Sequence, residues 1–535
     1  MLTLEPGMID LLDAVPVARA VTIADLDDFL DELAAYQAHY APFFRPDQRP
    51  WAGLYLRGLL TADVARKNIE AMVLRLCGAG PEADNQVRAA QYFISDGKWD
   101  DAAVLAAHQR LVDATLGDDD GVVILDGSDV PKQGTHSVGV IRQWCGATGK
   151  RDNCQAGVYL GYASRQGYTL LDRRLYLPEV WFTDAYRARW VACGIPDGTA
   201  FQTKHQLAAA LVAGVMAERR VRARWLTCDE GFGNHPALLD QIAAHDLWYL
   251  AEVPCDRLVW PLEEPDGTPR PRPQTWAPPR RTTGRGRPPA VERLQPGSPP
   301  RVRADEWAAR VPAARWQRYR LLEGSQGPLV AEVVTVRVVQ ARDGLPGPES
   351  WLVIRRTLPS ETEAPRSKYY LSNAPAETPE PDLVRVSGLR WPIESCFTEG
   401  KSEVGLDHYE VRTWRGWHHH LTVVILAHFF LTRLVLRLNR REGGPRPGGG
   451  AGTRAGGLAG AGGGPGRRGA ADGGAGESGR SPSAAERPPA AAGLGRGGGA
   501  GAGGLPAAPQ DRRLPLPPQT TAPGASAPGT MTVSL

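Results

Sequence analysis

Cysteine is scarce and scattered in this 535-residue chain. Its seven cysteines, Cys77, Cys145, Cys154, Cys193, Cys228, Cys255 and Cys396, form no Cys-x-x-Cys pair and have no histidine ladder nearby, so neither a zinc module nor a disulfide framework is indicated. The N-terminus MLTLEPGMIDLLDAV lacks a basic region followed by an apolar run. The most hydrophobic stretch, LTVVILAHFFL from Leu421, is too short to span a bilayer. A soluble, reducing, cytoplasmic setting with no membrane partner is therefore expected. From Arg441 to Leu535 there is no Lys, Ile, Phe, Tyr, Trp, Cys, His or Asn, while 28 of the 61 glycines fall there. Such a segment cannot bury enough apolar surface to offset its chain entropy, and residues 441–535 are expected to be a disordered Gly/Ala/Pro/Arg-rich tail. Ten Arg against five acidic residues give this tail +5, leaving −2 for the rest of a chain whose formal net charge is +3. Net charge thus argues neither for nor against a nucleic-acid partner, and only local patches can.

What is present divides by period. Residues 1–118 read as a helical region, with apolar residues at helical spacing in LDDFLDELAAYQAHYAPFF and AAVLAAHQRLVDATL. From 119 to 253 the pattern becomes α/β. GVVILDG is a short β-branched strand ending at Asp126, and AGVYLGYAS and YTLLDRRLYLP are two strands joined by a tight turn. QTKHQLAAALVAGVMAERR is a helix, ARWLTCDEG a strand ending at Asp229, HPALLDQIAAH a helix and LWYLAEV a strand. This order predicts an α/β core with a mixed sheet. Residues 254–380 begin with a Pro/Gly/Arg-rich stretch, containing nine Arg and one acidic residue from Arg270 to Arg303, and continue as a β-rich segment. Final helices occupy 381–440, the first opened by Pro392, whose missing N–H costs nothing in a first turn.

Asp126 and Asp229 each end a predicted strand, the edge of an α/β sheet where sites form. In RWPIESCFTEGKSEVGLDHYEVRTW, Arg390, Glu394 and Lys401 follow at steps of four and seven residues, nearly one helical face. Three carboxylates that converged would repel unless a cation sat between them, which would make them a divalent-metal site. Strand-end aspartates also cap turns, and an Arg390–Glu394 pair also serves as an ordinary surface contact, so spacing alone leaves both readings open. GATGKRDN mimics part of a phosphate loop, but its spacing is short and Arg151 stands where a Ser or Thr should be.

The blocks ILDGSDVPKQGTHSVGVIRQWCGATGKRDNCQAGVYLGYAS, DRRLYLPEVW, WLTCDEGFGN and RWPIESCFTEGKSEVGLDHYEVRTWRGWHHH, in this order, resemble the DDE transposases of bacterial insertion sequences. The similarity is greatest to the insertion-sequence group numbered seven hundred and one, near the group numbered four, and covers roughly residues 30 to 435. The resemblance implies a ribonuclease-H-like catalytic core interrupted by a β-rich insertion between the second and third acids. It implies that Asp126, Asp229 and Glu394 are the acids that bind two Mg²⁺ or Mn²⁺ ions. The related branch carries a Tyr, Arg, Glu, Lys signature with gaps of two, three and six residues; Arg390, Glu394 and Lys401 fit it, and Ser387 stands at the tyrosine position. Arg390 and Lys401 would then meet DNA phosphates on either side of Glu394.

Glu399 competes with Glu394 for the third place. Five residues put it about 140° around a helix from Glu394, so one face cannot offer both, and the flanking Arg390 and Lys401 together with the signature favour Glu394. Lys132, His136, Arg142, Lys150 and Arg151 could line DNA beside Asp126. The Arg-rich stretch with Trp276 could track a phosphate backbone, and the N-terminal helices could bind DNA ends or simply pack. WHHH, at His418 to His420, has no matching ligand cluster. The resulting expectation is a metal-dependent transposase acting on terminal inverted repeats and target DNA, compatible with a homodimer in the DNA complex. Its rivals are a catalytically inactive DNA-binding descendant and a ribonuclease-H-like nuclease that cuts without joining.

Overall fold

The structure, a computed structural model, describes residues 8–10, 26–276, 292–324, 327–358 and 365–441. The middle of the Arg-rich stretch and the tail expected to be disordered lie outside them. The described residues all belong to one compact unit, which spans Met1–Pro447.

The helical region is α1 (Leu26–Tyr40), α2 (Arg49–Leu60), α3 (Ile69–Cys77), α4 (Ala83–Ser95) and α5 (Asp101–Leu116). Capping sets two of the starts: Asn68 accepts from the Ala71 N–H, and Asp100 from those of Ala102 and Ala103. The core follows with β1 (Val122–Pro131), β2 (Ile141–Cys145), β3 (Lys150–Ser164) and β4 (Gly167–Tyr176). Next come α6 (Lys204–Met216), β5 (Trp225–Cys228), α7 (Pro236–Ala243) and β6 (Trp248–Val253). Strand β1 runs antiparallel to β3 and parallel to β5, β5 runs parallel to β6, and β3 runs antiparallel to both β2 and β4. Three antiparallel strands continued by two parallel ones are the ribonuclease-H-like arrangement. Strand β2 lies in what the sequence presented as a basic loop.

The β-rich segment supplies β7 (Leu258–Pro261), β8 (Gln317–Gly324), β9 (Gly327–Arg342), β10 (Leu345–Thr357) and β11 (Ser367–Ser372). These strands continue the core sheet: β11 pairs with β6, setting Tyr370 opposite Glu252, and β10, β9 and β8 follow in order. Strand β6, which would otherwise be an edge with a row of unpaired backbone groups, is thereby covered. The chain ends its described course with α8 (Glu380–Gly388), α9 (Trp391–Ser402) and α10 (Trp414–Arg441).

The LTVVILAHFFL stretch sits inside α10, a 28-residue helix. This helix is long and apolar enough to cross a membrane by length and composition, but two thirds of its most apolar window is buried within the protein, as befits a core helix. Around it the N-terminal helices pack: Tyr36 donates to the Leu426 carbonyl at 2.8 Å, and the Tyr55 hydroxyl meets His420 Nδ1 at 2.8 Å. Arg173 of β4 is fully buried and ties Asp101 of α5 to the His418 carbonyl and the Thr422 hydroxyl of α10. WHHH is therefore core: His419 stacks on Trp99 with ring centroids 3.7 Å apart.

Candidate active site

Strand register brings the first two acids level. Leu125 is aligned with Cys228 across β1 and β5, so the residues that follow, Asp126 and Asp229, stand side by side where the apolar runs end. Asp229 caps the one-turn helix Glu230–Gly233, accepting from the Phe232 N–H at 3.2 Å, and Asp126 accepts from the Gly127 N–H at 2.7 Å. Gly233 is required by the packing beneath: a Cβ there would lie 2.0 Å from the Glu252 carbonyl oxygen.

Helix α9 delivers the third acid. It lies across β3 because Gly161 leaves room for Ile393, and because Phe397 packs edge-on against Tyr159 with centroids 5.2 Å apart. Tyr159 is the register partner of Asp126, so Glu394, one turn before Phe397, arrives on the Asp126 side of the sheet, where its charge is felt by Asp126. Glu399 points elsewhere. Its carboxylate accepts from the Tyr168 hydroxyl at 2.6 Å and meets His428 Nε2 at 2.9 Å, against β4 and α10.

The cluster is cemented by Arg390. Its Nη1 lies 3.1 Å from Asp126 Oδ2, its Nη2 bonds Glu394, and its Nε is 3.7 Å from Glu252 Oε2. Glu252 also pairs with Lys368 Nζ at 3.1 Å. Burial, and then the neighbouring Asp229 charge, pushes Asp126 up to about 7 despite Arg390 and the Gly127 N–H. Burial likewise raises Asp229, with the Glu252 charge adding to it. Among the described residues no three acids, histidines or cysteines stand together closely enough to hold a metal ion, and Arg390 is the cation that contacts the acids. The donor set nonetheless fits a hard divalent cation: it consists of carboxylate oxygens, and burial works against the charged form of Asp126 and Asp229, which a cation would favour.

The other sequence candidates disperse. Arg142, Lys150 and Arg151 are exposed on the β2–β3 hairpin. There Trp144, 64% exposed, stands opposite Arg151 and two residues from Arg142, on the same outward face. The hairpin extends beyond the C-terminal end of β1, eight residues along β3 from Tyr159, or about 26 Å at ~3.3 Å per residue. Lys132 does not share that surface. Its ammonium sits 3.4 Å from the Tyr409 ring centroid and donates to the Tyr409 carbonyl, and burial lowers it to about 8. Lys401, near the end of α9, is half-buried and makes no hydrogen bond or ion pair among the described residues. Ser387 is buried, donating to the Val384 carbonyl and contacted by Arg355. Two residues of this region escaped the sequence reading, Glu252 and Trp144. A lone charge inside the apolar run LWYLAEV, and an aromatic between two arginines in RQWCGATGKR, were the available signals.

Residues 38–328, more than half of the chain, match the family described as DDE superfamily endonuclease, and the chain belongs to that family. The match includes Asp126 and Asp229 and ends before Glu394. Among solved structures, the piggyBac transposase in its synaptic complex with hairpin DNA aligns at 11% identity over 78% of this chain and 74% of that chain, with a TM-score of 0.35. No curated protein sequence matches the chain.

Proposed function

We propose that this endonuclease is a transposase of the bacterial insertion-sequence type, which hydrolyses phosphodiester bonds at transposon ends and joins the freed 3′-hydroxyls to target DNA. The reading is carried by Arg390 of α9, which bonds both Asp126 and its helix neighbour Glu394, while strand register sets Asp229 beside Asp126. A surface pair of Arg390 and Glu394 alone would not reach Asp126, 264 residues away along the chain. The same three acids would hold Mg²⁺ or Mn²⁺, two ions in the family the sequence resembles; when bound, such ions activate a water or 3′-hydroxyl and stabilise the leaving oxygen.

The chain's own residues supply the rest. Asp126 and Asp229 are fixed by backbone N–H groups and by register, so the acids are preorganised on the rigid sheet edge, while α9 carries Glu394 from the solvent side. Arg142, Lys150, Arg151 and Lys401 neutralise DNA phosphates, and Trp144 offers a stacking face between the arginines. Helices α1, α2, α4 and α5, packed on α10, present the surface that holds the DNA end, and two copies act together on two ends.

The test is cleavage of DNA bearing the element's own terminal repeats by purified protein, with Mg²⁺, with Mn²⁺ and with excess chelator. Metal-dependent nicking followed by strand joining is expected. Equal cutting in chelator would refute the metal reading. Cutting without joining would make the protein a nuclease, and binding without cutting an inactive descendant.

A further inference from the structure

Glu252 belongs to the acid cluster by register, although it ends no strand. Leu125, Cys228 and Ala251 align across β1, β5 and β6, so Asp126, Asp229 and Glu252, each the next residue, form a row on three neighbouring strands. Glu252 is 15% exposed and serves two cations, Lys368 at 3.1 Å and the Nε of Arg390 at 3.7 Å. Arg390, itself only 18% exposed, divides its remaining nitrogens between Asp126 and Glu394. A guanidinium cannot shed its charge, and its planar fork holds several acceptors at once. It therefore occupies carboxylate oxygens that a divalent cation would need, and the two like charges exclude each other there. The four carboxylates against Arg390 and Lys368 leave two negative charges, as many as one divalent ion neutralises.

We propose that Arg390 is the resident counter-cation of the acid cluster, and that Glu252 is a positioning residue which keeps Arg390 beside the site when a divalent cation takes Asp126 and Glu394. Loading then swings the guanidinium toward Glu252, without expelling it to solvent. Arg390 competes with metal in the free protein, and Glu252 lowers that competition by offering the guanidinium another carboxylate. This inference rests on the reading that the three acids bind metal.

The experiment is Mn²⁺ binding to the full chain without DNA, followed by the paramagnetic resonance signal of free Mn²⁺ at pH 8. Arg390→Gln should bind Mn²⁺ about tenfold or more tighter than the native protein, the scale on which an adjacent like charge moves an ionisation equilibrium. Arg390→Lys, which keeps the charge, should stay near native affinity. Glu252→Gln should weaken binding several-fold, and should do nothing in an Arg390→Gln background, because Glu252 acts through Arg390. An unchanged or weaker Arg390→Gln overturns the counter-cation assignment. Equal weakening by Glu252→Gln in both backgrounds overturns the positioning role, since Glu252 would then touch the metal itself. Mn²⁺ binding that Asp126→Asn abolishes but Arg390→Gln leaves unaltered refutes this inference and leaves the metal reading standing. No binding by the native protein or any variant refutes both.

Discussion

Asp126 makes the metal-free protein less stable than its isostere would, and the size of that effect follows from the site. In an unfolded chain its carboxyl ionises near 3.8; in the folded protein burial and Asp229 hold it protonated up to about 7. The folded state thus binds more protons than the unfolded state between about pH 4 and 7, so stability falls as pH rises through that window, and the full penalty is present above about 7. A difference of about three pH units corresponds to about 4 kcal/mol. Asp126→Asn keeps the shape and the acceptor for the Gly127 N–H and removes the charge. In EDTA at pH 8.5 it should raise unfolding stability by about 2–4 kcal/mol, and at pH 4 by almost nothing. Urea denaturation at the two pH values measures this. Adding Mg²⁺ should close most of the gap at pH 8.5 by stabilising the native protein alone. A variant that is less stable than native at pH 8.5 in EDTA would show that Asp126 is a satisfied structural carboxylate whose charge burial does not penalise.

Other expectations concern the scaffold around the site. Burial lowers His108 and His419 to about 4 and His418 and His420 to about 3, so the folded state keeps them neutral while the unfolded state protonates below 6.5. Stability should therefore fall steeply from pH 6.5 toward pH 4, four histidines outweighing the opposite trend of Asp126; a flat melting temperature across that range would contradict their burial as neutral groups. Gly233→Ala should cost about 2 kcal/mol or more, because its Cβ would meet the Glu252 carbonyl, and should lower cleavage by displacing Asp229; full activity with native stability would mean the one-turn helix is free to shift. Trp144→Ala should weaken binding to DNA with an unpaired end by about 1–3 kcal/mol while leaving stability unchanged, measured by fluorescence anisotropy. Equal binding would remove the hairpin from the DNA path.

Much of the core was legible because its strands announce themselves. GVVIL and RWLTC are short β-branched or apolar runs stopped by an aspartate, and the helix between them carries its apolar stripe at Leu207, Leu211 and Val215, all three buried. Strand β2 was not legible: IRQWC exposes Arg142 and Trp144 on one face, is five residues long, and reads as a polar loop until β3 pairs with it. The continuation of the sheet from β6 through β11 into the β-rich segment is a pairing between residues more than a hundred apart, which no local pattern records. The helical spacing rightly set Arg390 and Glu394 on one face and Glu399 on another, since spacing is a property of the helix alone. What Arg390 touches is a property of the tertiary fold, and the structure turns it onto Asp126 and Glu252 as well as Glu394. Lys132 looked like its neighbours in the basic segment, yet an aromatic ring 277 residues away covers it.

In the proposed site Glu394, with Asp126 and Asp229, holds the metal, while Glu399 is a structural acid held by Tyr168 and His428. Its most direct test is Mg²⁺-dependent strand cleavage of terminal-repeat DNA by Glu394→Gln and Glu399→Gln side by side, with binding to the same DNA measured in parallel. Glu394→Gln should lose cleavage and still bind DNA near normally, whereas Glu399→Gln should retain most cleavage and lose about 1–2 kcal/mol of stability. Cleavage that survives Glu394→Gln and disappears with Glu399→Gln would contradict this assignment of the two acids.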